Sequence, residues 1–183
     1  MTKYVNIVRF HLYGIETGDN FVVHGMPYIR LFKSAKVRIG SNFYMSNGLN
    51  INALSSNRRG SIYATDNAEI IIGNNVGMSS CVLWCHEKIS IGDNVKIGAN
   101  CVLIDTDSHS LDPVKRRSPL TDGGISSPIT IGNDVFIGMN CIVLKGVTIG
   151  DRAIVGAGSI VTNSIPNDCV VAGNPAKIIK QTR

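Results

Sequence analysis

The chain has 183 residues, of which 44% are hydrophobic and 17% charged, and its formal net charge is +5. This length and composition suit one globular domain with a substantial core. No apolar run approaches the roughly 20 residues of a membrane-spanning helix. A modest charge with only 6% aromatic residues argues against a nucleic-acid partner, because readers of RNA or DNA usually have stronger basic stripes or stacking aromatics.

The first 36 residues lack the repeat described below and are predicted to form an N-terminal cap. Their opening, MTKYVNIVRFHLYG, has scattered charges and no continuous apolar stretch followed by small residues, so a secretory signal is not expected. We therefore expect a cytoplasmic protein. His11 and His24 lie in this segment, with no spacing that suggests a role.

From residue 37 onward one phrase recurs: apolar, any residue, apolar, glycine, two polar turn residues, then an apolar or small residue. Two apolar residues that flank an outward one predict a short strand, and Gly with Asn or Asp predicts a turn. Each phrase is therefore one strand and one corner. The copies are VRIGSNF at 37–43, IIIGNNV at 70–76, ISIGDNV at 89–95, ITIGNDV at 129–135 and VTIGDRA at 147–153.

The most regular stretch is 129–161, where a branched aliphatic residue returns every six positions and the phrase returns after 18 residues. This period is neither the 3.6 of a helix nor the 2.0 of a strand. It predicts an all-β prism of parallel strands with three faces, whose coils stack about 4.8 Å apart. We assign the prism to 37–165 and a C-terminal cap to 166–183, with at most a short helix in PAKIIKQ.

Longer spacings between the glycine-preceding isoleucines predict insertions. From Ile91 to Ile131 the spacing is 40 residues, which predicts a loop near 105–128. From Ile39 to Ile72 it is 33, which means either 15 extra residues in one coil or two shortened coils. Insertions from a regular repeat are where binding chemistry usually lies.

The five cysteines are an odd number in a chain without a predicted signal peptide, which indicates reduced thiols. Cys101 and Cys141 fall at inward positions of the repeat and are predicted to be small core residues. Cys81, Cys85 and His86 suggest part of a zinc site, but a second ligand pair at zinc-like spacing is missing. No metal is therefore expected.

These repeats, followed by VGAGSIVTNSIPNDCVVAGNPAKIIKQ at 155–181, resemble the hexapeptide-repeat acyltransferases over roughly residues 37–181. The stretch from Pro128 onward is similar to the maltose, galactoside and polysaccharide O-acetyltransferase branch. The resemblance implies a left-handed parallel β-helix, although parallel crossovers are normally right-handed. It also implies acetyl-CoA as the acyl donor, a sugar or polysaccharide precursor as the acceptor, and a homotrimer with each active site between adjacent prisms.

The long insertion contains His109, flanked by Asp105, Asp107 and Asp112. Alone, this pattern is typical of a solvated loop histidine, but the family carries its catalytic histidine at this place, so the resemblance implies that His109 is the general base. An alcohol that keeps its proton is a poor nucleophile, and an imidazole can accept that proton. Asp105 or Asp107 is expected to fix the imidazole tautomer. Direct transfer is expected, because no Ser or Cys nucleophile motif is present.

The resemblance also carries over the residues that bind the donor and the acceptor. His86 stands where sugar acetyltransferases have an acidic acceptor-binding residue, and Met78 or Ser79 where they have Asn, so the acceptor contacts differ. Trp84 and His86 either form a stacking wall for a sugar ring or simply pack against the neighbouring loop. The residues implied for the donor are Met139, Ala157, Thr162, Asn163, Lys177 and Lys180.

Other activities share this fold and stay open. An amino-sugar N-acetyltransferase, a serine acetyltransferase or an antibiotic acetyltransferase would use a similar base. A zinc carbonic anhydrase needs three converging histidines, and the repeat region offers only His86 and His109. A non-catalytic scaffold is the remaining class.

Overall fold

The computed structural model describes residues 2–48, 51–55 and 58–182. One helix, α1 (Thr2–Leu12), precedes a series of short strands that wind around a three-sided prism. All strand pairings between successive coils are parallel. No helix within the described ranges is long and apolar enough to cross a membrane.

Each coil contributes one strand to each face, and the predicted all-β prism is confirmed. The coils are β1 (Glu16–Thr17), β2 (Val22–His24), β3 (Tyr28–Leu31); β4 (Lys36–Ile39), β5 (Tyr44–Ser46), β6 (Ser61–Ala64); β7 (Glu69–Ile72), β8 (Gly77–Ser79), β9 (Val82–Cys85); β10 (Lys88–Ile91), β11 (Lys96–Ile97), β12 (Val102–Ile104); β13 (Ile129–Ile131), β14 (Phe136–Ile137), β15 (Ile142–Leu144); β16 (Thr148–Ile149), β17 (Ile154–Val155), β18 (Ile160–Val161). The final strands are β19 (Cys169–Gly173) and β20 (Ala176–Gln181), and short 3-10 turns cover Ala53–Ser55 and Lys115–Arg117.

Three sheets form the prism walls. The first sheet runs from β1 through β4, β7, β10 and β13 to β16, and the second from β2 through β5, β8, β11, β14 and β17 to β19 and β20. The third sheet contains β3, β6, β9, β12, β15 and β18. The chain passes from first to second to third sheet in every coil, so each prism edge collects the same turn of successive coils.

The core consists of columns of inward side chains that repeat from coil to coil. In the third sheet, Leu83, Leu103 and Val143 are in register and fully buried. Each such residue packs on its copy in the next coil, as in other repeat proteins. Cys101 and Cys141 are also fully buried, which confirms their assignment to the core.

The prism begins at Glu16, inside the segment 1–36 that the repeat search assigned to the cap. Thr17 pairs in register with Ile39, but it is exposed at the open end of the prism. This position has no further coil above it and does not require an aliphatic residue, so the phrase is unrecognisable there. The cap is α1, whose Phe10 ring lies 4.9 Å from that of Phe21.

The C-terminal segment, where at most a short helix was expected in PAKIIKQ, forms a strand. β20 pairs antiparallel with β19 at the end of the second sheet. A helix at this place would leave the edge of β19 unpaired, whereas the strand satisfies its backbone N–H and C=O groups.

The spacing of 33 residues between Ile39 and Ile72 comes from extra residues in a single coil and not from two shortened coils. The insertion lies between β5 and β6.

The repeat glycines allow successive coils to approach closely. A Cβ on Gly92 would lie 2.6 Å from Asn133 Oδ1 and 2.8 Å from the carbonyl carbon of Gly132, both in the next coil.

We expect Gly92→Ala to lower the free energy of unfolding by about 1–3 kcal/mol, because the added methyl group overpacks the contact between coils. Urea titration measures this change. The matched control is Gly123→Ala in the insertion, where a Cβ meets nothing within 4 Å. Equal stability of the two variants would contradict this role.

Candidate functional site

The insertion 105–128 leaves the prism after β12, at the edge between the third and first sheets. Its base is closed by an antiparallel bridge between Thr106 and Ser126. Backbone hydrogen bonds on either side, from Asp107 to Ile125 (3.1 Å) and from Ser127 to Asp105 (2.8 Å), extend this stem. The stem fixes where the loop begins and ends, so the residues between are held above one edge of the prism.

The side chains of His109 and Asp122 lie within ion-pair distance of each other in this loop. His109 Nδ1 lies 2.7 Å from Asp122 Oδ2, and Asp122 Oδ1 accepts the Ser110 N–H at 2.8 Å. The Ser110 N–H, followed by His109, holds the pKa of the Asp122 carboxyl below its usual range. An ionised carboxylate only accepts hydrogen bonds, so Nδ1 carries the proton and Nε2 of a neutral ring is the basic nitrogen. The His109 side chain is 70% exposed, which makes Nε2 accessible to a substrate.

Neither the Asp105 nor the Asp107 carboxylate bonds to the His109 ring, so the expectation that one of them fixes its tautomer is wrong; Asp107 meets His109 only through its backbone carbonyl, which accepts the His109 N–H at 2.7 Å. Asp105 is fully buried and accepts the three consecutive backbone N–H groups of residues 86–88 at 2.7–2.8 Å. Asp107 lies 3.5 Å from Lys145 Nζ. Asp122 was not identified from the sequence because it is 13 residues from His109 in a segment without a repeat.

Trp84 and His86 lie one coil before the loop, and Tyr63, which was not identified from the sequence, lies one coil earlier still. The Tyr63 and Trp84 rings stack at 3.9 Å with an interplanar angle of 6°. Trp84 Nε1–H donates to His86 Nε2 at 3.2 Å, so the other nitrogen of His86 carries its proton. Tyr63 is in register with Trp84, and repeat alignment would have found it once the insertion after β5 was placed.

The remaining residues lie at other positions on the prism. Ser79, Met139 and Ala157 form a column at the edge between the second and third sheets, where Gly158 N–H donates to Met139 O at 2.8 Å. Ser79 Oγ accepts a hydrogen bond from Ser46 Oγ at 2.9 Å. Thr162 and Asn163 follow β18, at the same edge as the His109 loop. Lys177 and Lys180 are exposed on β20.

Within one chain, therefore, the predicted site residues fall at opposite margins of the third sheet. His109, Trp84 and His86 share one margin, and Met139 and Ala157 share the other. The outward side chains between them are mostly partly buried and apolar: Val82, Val102, Ile104, Ile142, Leu144 and Ile160. One protomer alone brings the proposed base to the edge that carries Thr162 and Asn163, but not to Met139 and Ala157.

The cysteine thiols are unsuited to nucleophilic chemistry. All five cysteines are free and buried. Burial, and then the negative charge of Asp105, raise the pKa of the Cys85 thiol above its usual range. A thiol attacks as its thiolate, which such a site disfavours. Over the described ranges, no three His, Cys, Asp or Glu side chains come together in a way that would hold a metal ion.

Comparison with known proteins identifies the repeat and its relatives. A family described as the hexapeptide repeat of succinyl-transferase matches residues 69–104 and 128–163. The chain is 33% identical over 162 residues to WbbJ of Escherichia coli K12, described as a lipopolysaccharide biosynthesis O-acetyl transferase, covering 84% of this chain and 75% of WbbJ. It is 44% identical over 93 residues to galactoside O-acetyltransferase of E. coli K12, a match that covers 51% of this chain and 44% of that relative.

A solved structure covers nearly the whole fold. The hexapeptide-repeat containing acetyltransferase VCA0836 of Vibrio cholerae, complexed with acetyl-CoA, matches with a TM-score of 0.58 and 27% identity, covering 97% of this chain and 76% of that one. Several relatives are much longer than the matched part, and the chain spans less than half the length of the galactoside enzyme.

Proposed function

Because this chain belongs to the hexapeptide-repeat acetyltransferases, whose fold is the left-handed parallel β-helix, we propose that it transfers the acetyl group of acetyl-CoA to a hydroxyl of a saccharide. The observation that carries this proposal is the His109–Asp122 pair, in which an ionised carboxylate holds Nδ1 and leaves Nε2 accessible. The relatives named galactoside O-acetyltransferase and lipopolysaccharide biosynthesis O-acetyl transferase support the choice of a sugar hydroxyl.

In this mechanism His109 Nε2 accepts the proton of the acceptor hydroxyl as its oxygen attacks the thioester carbonyl carbon. Asp122 stabilises the imidazolium that forms and keeps the ring oriented. The new C–O bond forms, the C–S bond breaks, and His109 returns its proton to the departing sulfur. Acyl transfer is direct, in agreement with the buried thiols.

Met139, Ala157, Thr162 and Asn163 would line the pantetheine arm of the donor, largely through backbone groups. The edge that carries Ala157 has open space for an extended pantetheine arm. Gly158 at this corner has positive φ, and a Cβ placed on it would meet no atom within 4 Å. Small residues allow such close approach to a backbone. Lys177 and Lys180 are exposed cations that would meet the CoA phosphates as point charges.

A homotrimer would complete the site. His109, with Thr162 and Asn163, lies at one margin of the third sheet, and Met139 and Ala157 lie at the other, with an apolar outer surface between them. If that surface of one protomer packs against a neighbour, the His109 loop of one chain meets the Met139 and Ala157 edge of the next. Burial of the apolar residues would provide the driving force for assembly.

For the acceptor we propose contacts with the Tyr63–Trp84–His86 cluster, with Ser79 contributed from the other margin. Tyr63 covers one face of Trp84. In the next coil, Ile104 is paired in register with Trp84 on its other side. The indole therefore presents its edge, and a sugar would meet that edge and the free N–H of His86. This geometry favours polar recognition over stacking on the Trp84 face.

The test of this function is saccharide-dependent release of free thiol from acetyl-CoA by the purified protein. A panel of neutral, amino and acidic sugars, free and nucleotide-linked, would be compared with a blank without acceptor. We expect at least one saccharide with free hydroxyls to stimulate thiol release. Release stimulated only by amines, or by none of the panel, would contradict O-acetylation of a saccharide.

Asp122→Asn tests the positioning of the base. The amide places an N–H donor within reach of Nδ1, which favours the tautomer with its proton on Nε2, so we expect kcat to fall by about 10²–10⁴-fold, as in other His–carboxylate pairs. The KM for acetyl-CoA should stay unchanged. Asp112→Asn is the matched control in the same loop, since the Asp112 side chain accepts only the Val114 N–H, which an amide oxygen can also accept. A wild-type pH profile and kcat in the Asp122 variant would show that this carboxylate has no positioning role.

A further inference from the structure

The helix α1 has two different faces. On its inner face Asn6 and Phe10 are fully buried, and Asn6 Nδ2 donates to the carbonyls of Val23 (2.9 Å) and Gly25 (2.7 Å). The opposite face, which would normally be polar, is apolar and exposed: Tyr4 73%, Val5 47%, Val8 60% and Leu12 79%.

This exposed stripe has a spacing that a single surface can bury. Tyr4, Val8 and Leu12 recur every four residues and lie on one side of the helix, opposite Asn6 and Phe10. Contiguous exposed apolar residues mark interaction sites more often than scattered ones do. The helix is held on the prism by its inner face and by the Arg9 guanidinium, which donates to Pro27 O at 2.7 Å, so the outer stripe contributes little to packing of the described chain.

The residues around the stripe are those of a membrane interface. Tyr13, Met26 and Tyr28 are also exposed at this end of the prism. Residues 1–36 contain five Lys or Arg and only two Asp or Glu, and no acidic residue precedes Glu16. Basic residues beside an apolar stripe, with tyrosines at its border, are typical of helices that lie in the headgroup layer of anionic lipids.

The position of α1 makes the stripe accessible to a flat surface. The helix packs on β1 and β2 of the first coil and closes the end of the prism. Its outer face therefore points away from all coils, and the prism does not obstruct approach of a plane. The helix has 11 residues, which is too short to span a bilayer but enough to lie on one.

We propose that α1 binds an anionic lipid surface through Tyr4, Val5, Val8 and Leu12, with Arg9 and His11 near the headgroups. A second copy paired end to end would bring like charges together. This inference does not depend on the acetyl-transfer proposal.

The experiment is cosedimentation of the full chain with phosphatidylcholine vesicles, with and without phosphatidylglycerol. We expect binding to the anionic vesicles that weakens with salt and falls at least tenfold in Val8→Ser with Leu12→Ser. The matched control, Ile178→Ser with Ile179→Ser, removes two exposed apolar residues from β20 and should bind as wild type. Circular dichroism would verify that both variants retain the fold.

Three results would overturn the proposal: no binding to anionic vesicles at low salt, equal loss of binding in both double variants, or no loss in the α1 variant. Sedimentation velocity tests the alternative occupant of the stripe, a second copy of this chain. End-to-end doubling of the assembly that disappears in the α1 variant would assign the stripe to a second copy instead of lipid.

Discussion

Replacing His109 with alanine is expected to lower kcat for acetyl transfer by about 10²–10⁴-fold, the usual contribution of a general base. The variant removes Nε2, which takes the proton of the acceptor hydroxyl, and leaves the donor residues untouched. The KM for acetyl-CoA should therefore change little. The measurement is steady-state thiol release with a saturating saccharide, together with sedimentation to establish that the assembly is intact.

The control for this variant is His11→Ala, which removes an exposed imidazole far along the chain from the loop. It should keep wild-type kcat. Full activity of His109→Ala would rule out its role as the base, whatever the state of the assembly. Loss of activity accompanied by loss of donor binding would also contradict the account, since His109 is assigned no part in holding acetyl-CoA.

Asp105→Ala is expected to have the largest effect on stability, lowering the free energy of unfolding by about 3–5 kcal/mol. Its carboxylate is fully buried and accepts three backbone N–H groups in the turn of residues 86–88. Alanine would leave all three donors without partners, and each unsatisfied donor costs roughly 1–3 kcal/mol. Urea unfolding followed by circular dichroism measures the loss.

Two companion variants make the Asp105 result specific. Asp105→Asn keeps one acceptor oxygen and should lose less stability than alanine does. Asp112→Ala removes an exposed carboxylate and should change the free energy of unfolding by less than about 0.5 kcal/mol, as surface substitutions do. If Asp105→Ala and Asp112→Ala were equally stable, the buried carboxylate would not be what organises this turn.

The prism could be predicted from the sequence because the spacing of the repeat determines which residues of successive coils pair. Ile131 and Ile149 pair directly in the first sheet, and their spacing of 18 residues equals one coil. The first coil could not be predicted in this way, since Thr17 stands at the open end where no neighbouring coil selects an aliphatic residue. The C-terminal strand was missed because an edge strand needs no inward repeat of its own.

The candidate site was less predictable than the fold. His109 could be singled out because the resemblance supplied its place in the insertion. Its partner Asp122 could not, because the loop has no periodicity and the pairing depends on how the segment folds back. Trp84 illustrates a different limit: the sequence suggested a stacking wall or packing on a loop, but only the structure shows that Tyr63 covers one of its faces.

The proposed reaction forms an acetyl ester on a sugar hydroxyl. Its most direct test is incubation of the protein with acetyl-CoA and the saccharide panel, followed by mass spectrometry of the products before and after mild base. We expect one added acetyl group that base removes, because it is an ester, and that is absent from reactions of His109→Ala. A base-stable acetyl amide, or no acetylated saccharide at all, would contradict it.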